Sequence, residues 1–178
     1  SLNNNSDALV ARGTIFQNNK QFIDAEKDFK DAITLNSDDR NNYFYLSNLY
    51  LKTSNFDKAR EIINETINKD TKDPDGYYKL AYTYYLESNY FLALEYTTIA
   101  IVKAIDNNVL LNDVYYISDI NNKDRINLED LYLLRFEIKK NLNLDSSTLC
   151  LDLKNAHQVA KSKKAIDKIN GLISETCN

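Results

Sequence analysis

Residues 43–63 read YFYLSNLYLKTSNFDKAREII, and their spacing decides the fold. Tyr43, Leu46, Ser47 and Tyr50 fall at i, i+3, i+4 and i+7, one face of a helix. Phe56, Ala59 and Ile63 make a second such face. Between them stands the polar break Thr53-Ser54-Asn55, whose Ser and Asn can cap the helix that follows. The segment therefore predicts a helical hairpin in which a small residue on each helix lets the backbones approach and the aromatics fill the space beside them.

The same hairpin occurs three times. Ala25, Ala59 and Ala93 are each 34 residues apart. Three positions before each lies an aromatic (Phe22, Phe56, Tyr90), and nine before lies another (Phe16, Tyr50, Tyr84). Twelve before comes a small residue (Gly13, Ser47, Ala81), and sixteen before a bulky one (Leu9, Tyr43, Tyr77). A lone hairpin of this size cannot bury its apolar face, so such copies stack and share a core.

This pattern resembles the tetratricopeptide repeat family, over residues from about Ser6 to Ala104. The family's bulky–Leu–small–aromatic run appears as Tyr43, Leu46, Ser47, Tyr50 and as Tyr77, Leu80, Ala81, Tyr84. In the first copy it is Leu9, Arg12, Gly13, Phe16, where Arg12 departs from Leu. On the second helix the family carries aromatic, Ala, aromatic, Ala. That series reads Phe22, Ala25, Phe29, Ala32 in the first copy, Phe56, Ala59, Ile63, Thr66 in the second and Tyr90, Ala93, Thr97, Ala100 in the third. The family's closing Pro is missing, and Pro74 instead opens the third copy, where the first turn of a helix tolerates it. The resemblance implies an all-α, right-handed superhelix of stacked hairpins ending in a C-terminal capping helix.

Beyond Ala104 the register falters, since Asn127 occupies the next alanine slot. Yet Asp152-Leu153-Lys154-Asn155-Ala156 parallels Asp28-Phe29-Lys30-Asp31-Ala32. Leu128 to Leu142 and Asp145 to Lys161 are accordingly expected to form a degenerate fourth repeat, preceded by an extra helix from Val109 to Ile120 and a polar loop. Lys163 to Glu175 places Ala165, Ile166, Ile169, Leu172 and Ile173 on one face, as a capping helix requires. The expected division is a tail (1–5), three repeats (6–39, 40–73, 74–105), the extra helix and loop (106–127), the degenerate repeat (128–161) and the cap (162–178). An alternative parse pairs Val109–Ile120 with Leu128–Leu142 and leaves the last two helices as a separate hairpin.

Composition agrees with helices. Only 3 Gly and 1 Pro occur in 178 residues, too few turn residues for a sandwich or barrel. The 22 basic and 26 acidic residues give a net charge of −4 and are interspersed, so no nucleic-acid footprint is visible. No apolar run reaches the roughly 18 residues of a membrane span. A signal pattern is lacking, although a leader removed ahead of Ser1-Leu2 is left open.

Catalysis finds no support in the inventory. His157 is the sole histidine, and Cys150 lies two turns away on the same helix, about 10 Å along its axis and too far for a nucleophile–base pair. The same shortage argues against His/Cys metal sites, and no cofactor is expected. Asp119, Asn121, Ile126 and Asp130 match positions of a calcium loop, but Lys123 and Asp124 stand where a ligand and the turn glycine belong. An Asn/Asp-rich helix connection accounts for that stretch.

The expected function is a non-catalytic scaffold holding a protein or peptide. The family resemblance implies a groove lined by the first helix of each repeat. In the second and third copies the residues not used for packing are Asn41, Phe44, Tyr45, Asn48 and Lys52, then Asp75, Tyr78, Lys79, Tyr82 and Tyr85. Such a Tyr-rich face suits a protein interface, because tyrosine buries much area at small entropic cost. The alternative is a structural module for self-association or assembly. The carboxylate-clamp subclass needs basic and Asn residues where this chain has Val10, Thr14 and Asp75, with only Lys79 matching, so a heat-shock chaperone C-terminus is not the expected partner.

Cys150 and Cys177 are open to two readings. A turn near Ser162 brings them within about 5 Å along the helix axes, and the placement resembles some exported bacterial relatives. They form either a disulfide or two free thiols, one of them packed in the core. The compartment follows: cytoplasmic, or periplasmic or exported if the disulfide forms and a leader was removed.

Overall fold

A computed structural model describes residues 2–106 and 127–177. The expected helix at 109–120 and residues 119–126 of the calcium-like loop lie outside them. The described residues form nine α-helices and no strand. Two compact units divide the chain, Ser1–Thr71 and Lys72–Asn178. The first holds α1 (Leu2–Asn18), α2 (Phe22–Leu35), α3 (Arg40–Lys52) and α4 (Phe56–Lys69). The second holds α5 (Pro74–Leu86), α6 (Tyr90–Asp106), α7 (Leu128–Asn141), α8 (Ser146–Val159) and α9 (Lys163–Thr176).

The hairpin turns repeat atom for atom. Lys20, Ser54 and Ser88, spaced by the 34-residue period, each adopt a left-handed backbone with φ of 62°, 57° and 60°. The next residue's N–H then reaches back five positions: Gln21 to the Phe16 carbonyl (2.9 Å), Asn55 to Tyr50 (2.8 Å) and Asn89 to Tyr84 (2.9 Å). This closure satisfies carbonyls that a helix end otherwise leaves open. The α7–α8 turn is built identically, with Asn143 at φ 53° and Leu144 donating to the Lys139 carbonyl at 3.1 Å. Side-chain caps start the helices: Asp39, Asn55, Asp73, Asn127, Asp145 and Ser162 accept the N–H of Asn41, Lys58, Asp75, Asp130, Thr148 and Ala165. Asn127, which breaks the alanine column, is thus the N-cap of α7.

Ala25, Ala59 and Ala93 have no exposed surface, as close helix approach demands. In the first hairpin the small residue is matched in volume by its neighbour on the second helix. A Cβ added at Gly13 would stand 2.7 Å from the Phe29 ring, so the smallest residue of the column admits the bulkiest partner. In the α7–α8 hairpin Phe136 instead packs with Leu149 and Leu153.

In the first unit Asn42 ties three elements together. Its Nδ2 donates to Ser6 Oγ (3.0 Å), the Ala32 carbonyl (3.2 Å) and the Asn36 carbonyl (3.0 Å), with 1% of the residue exposed. Tyr50 Oη donates to Glu26 Oε1 at 2.9 Å, where Lys30 also bonds, and these partners hold the Glu26 carboxyl below its usual range, Lys30 first. In the second unit α7 packs against α6 and α8, and α9 against α8. Tyr78, Ala100, Ile101, Leu128, Leu131, Ala156 and Ile169 form its principal core.

Candidate partner-binding surface

On α5, tyrosines at i, i+4 and i+7 put their rings in a row. Tyr78 and Tyr82 stack at 6.1 Å between centroids and 14° between planes, and Tyr82 and Tyr85 at 6.4 Å and 22°. Tyr90, at the start of α6, extends the row with its ring 5.9 Å from Tyr85. Sequence reasoning placed Tyr90 in the framework. The fixed geometry of the α5–α6 turn is what brings it to this face.

The row runs from interior to solvent. Tyr78 is 9% exposed and packs in the core, whereas Tyr82 is 36% exposed and Tyr85 and Lys79 are half-buried. Asp75 is buried at the start of the helix. On α3, Asn41 and Lys52 are exposed, Tyr45 and Asn48 half-buried, and Phe44 buried. Tyr45 rests on the Phe29 ring at 5.8 Å. Of the ten residues expected to meet a partner, Phe44, Asp75 and Tyr78 therefore serve packing, and the other seven retain surface.

Burial raises the pKa of the Tyr78 hydroxyl, with the charge of Asp130 as the next cause. Asp130 itself is pushed up to about 6, first by burial and then by Glu129, against the opposing pull of Lys168. Its folded-state pKa lies above the unfolded value near 4, so the folded form holds the proton more tightly. The resulting penalty is absent below about pH 4, builds between about pH 4 and 6, and is complete above. Asp130→Asn is expected to raise stability at pH 7.5 by about 1–2 kcal/mol and to leave it unchanged at pH 3.5. Urea unfolding at the two pH values checks this, and an equal gain at both would contradict it.

At the other end of the unit, the sulfurs of Cys150 and Cys177 are bonded, with Cα atoms 5.6 Å apart. His157 is exposed in the last turn of α8. Among the described residues no three His, Cys, Asp or Glu side chains gather to hold a metal, and no helix is long and apolar enough to cross a membrane.

The family model for the tetratricopeptide repeat matches residues 18–81. Residues 18–81 carry the tetratricopeptide repeat signature. Their architecture is shared with solved structures at low identity. A tetratricopeptide repeat protein from Parabacteroides merdae superimposes with a TM-score of 0.63 at 21% identity over 97% of this chain. This chain spans 58% of that one. A thermophilic TPR protein of Thermus thermophilus gives 0.62 at 15% identity, covering 92% of this chain and 80% of its own. The TPR2B domain of yeast Sti1, in a pHsp70 complex, gives 0.58 at 17% identity over 76% of this chain and 97% of its own. No curated protein matches the sequence.

The repeats also explain the departure at Arg12. Its Nε and Nη2 donate to the two oxygens of Asp28, both at 2.7 Å, and Asp28 is buried. The α7–α8 hairpin repeats the device: Arg135 donates through Nε (2.9 Å) and Nη2 (2.6 Å) to Asp152 Oδ1, while Lys139 Nζ lies 2.8 Å from Oδ2. A second device recurs at the 34-residue period, with Lys69 over the Tyr43 ring and Lys103 over that of Tyr77.

Proposed function

We propose that the chain is a non-catalytic scaffold whose first-helix faces hold an extended or helical segment of a protein partner. Tetratricopeptide repeats serve generally as protein-interaction scaffolds, and the Tyr82–Tyr85 part of the α5 row is the observation that carries the finer reading. Stacked neighbours hold these rings in place, so a partner that covers them immobilises little additional side-chain freedom. Lys79, on the same helix, supplies a polar contact that orients a peptide. The yeast neighbour, solved in a complex, supports partner binding by this architecture.

Selection of a displayed random-peptide library on the purified chain supplies a ligand. Tyr82→Ala is then expected to weaken that ligand by about 1–2 kcal/mol, or roughly 5–30-fold in Kd, while Lys27→Ala on the exposed side of α2 leaves it unchanged. Equal affinities for wild type, Tyr82→Ala and Tyr85→Ala would refute the placement. The alternative, a module for self-association, predicts concentration-dependent mass in light scattering and loss of that mass in the same tyrosine variants.

A further inference from the structure

Both cysteines of the chain are engaged in the Cys150–Cys177 bridge. It joins the second turn of α8 to the residue that ends α9, outside the principal core. Cys150 and Cys177 line an open cleft with Ser146, Ser147, Leu151, Lys154 and Thr176. Cys150 is 9% exposed and Cys177 half-buried, so a thiol entering the cleft meets Cys177 first.

Apart from the bridge, α9 is held by one short apolar stripe, Ile169 in the principal core with Leu172 and Ile173 beside it. In α9 only Ile169 is fully buried, with Ile166, Leu172 and Ile173 half-buried, while Lys163, Lys164, Asp167 and Lys168 face solvent. A 14-residue helix of this kind is marginal in water without its neighbour. With the bridge closed, α9 is tied at both ends, to α8 through residues 160–162 and back to α8 through sulfur. With it open, one covalent tie and the apolar stripe remain.

We propose that this bridge is a clasp, opened in the native protein by thiol–disulfide exchange with a small dithiol, and that opening releases α9 from α8. A thiolate of the dithiol attacks Cys177 Sγ, the Cys150–Cys177 bond breaks, and Cys150 Sγ leaves as a thiolate that takes a proton. Lys154, one turn along α8 and lining the same cleft, favours that leaving thiolate. The second thiol of the dithiol then attacks the mixed disulfide and frees Cys177. The reagent ends as a cyclic disulfide and two electrons pass to the protein. Release uncovers the α8 and α7 side chains packed beneath α9, among them Leu149, Leu153 and Phe136.

Amide hydrogen exchange on the full chain tests this, with dithiothreitol as the dithiol in native buffer. The bridge is expected to open without denaturant, and amides of residues 166–176 to exchange about 100-fold faster, while those of α1–α4 keep their rates. Cys177→Ser, made without reductant, is expected to show the same local acceleration, with the α1–α4 amides reporting that the chain has folded. Three results would overturn the proposal. The bridge could resist dithiothreitol until the chain is unfolded. Alternatively, α9 in the reduced chain could stay protected to within a few-fold. Finally, α9 amides in the reduced chain could exchange no faster than the slowest amides of α5–α8, which would show α9 opening only when the whole unit unfolds.

Discussion

Replacing Arg135 with Leu, the residue the repeat pattern calls for at the equivalent place, is expected to destabilise the second unit by about 3 kcal/mol or more. The reason lies in what is left behind. The Asp152 side chain has no exposed surface, whereas those of Arg135 and Lys139 are 15% and 14% exposed. Without Arg135 the carboxylate keeps a single cation and loses both guanidinium hydrogen bonds at Oδ1. A buried charge stripped of partners costs more than the intact pair ever contributes. Asp152→Leu should therefore cost less than Arg135→Leu, because both cations reach water along their stems. The double variant Arg135→Leu/Asp152→Leu should recover much of the loss. Urea midpoints for the three variants check the order, and equal costs for the two single changes would show that Asp152 is solvated.

Loss of the Cys150–Cys177 bridge is the second large effect. The two residues are 27 apart in sequence, and closing a loop of that length removes unfolded-chain entropy equivalent to about 3–4 kcal/mol. The Cys150→Ser/Cys177→Ser variant is expected to melt about 10 °C or more below the oxidised protein and level with the reduced one. If reductant leaves the melting temperature of the wild type unchanged, the two thiols were never joined in solution. This experiment reads global stability, whereas exchange at α9 reads local release, so the two can disagree.

The hairpins were legible because their signal is local and periodic. A small residue every 34 positions, flanked by aromatics at fixed offsets, specifies helix approach without reference to anything distant. The faces were only partly legible. Phe44, Asp75 and Tyr78 occupy the same helical stripe as Tyr45, Lys79 and Tyr82, and periodicity alone cannot tell which members of a stripe another element covers. Asn42 was missed for a related reason: its three acceptors come from α1, the end of α2 and the following loop, and nothing in the sequence near it announces them.

The sequence by itself determined the class of the fold, the hairpin period and the small-residue contacts, because each recurs at fixed offsets within one short hairpin. Tertiary structure alone decided that Arg12 and Arg135 pair with buried aspartates, that Tyr90 joins the α5 row, and that Cys150 meets Cys177. Each of those pairings joins residues on different helices. Distances between helices are set by how whole elements pack, and no single stretch of chain encodes them.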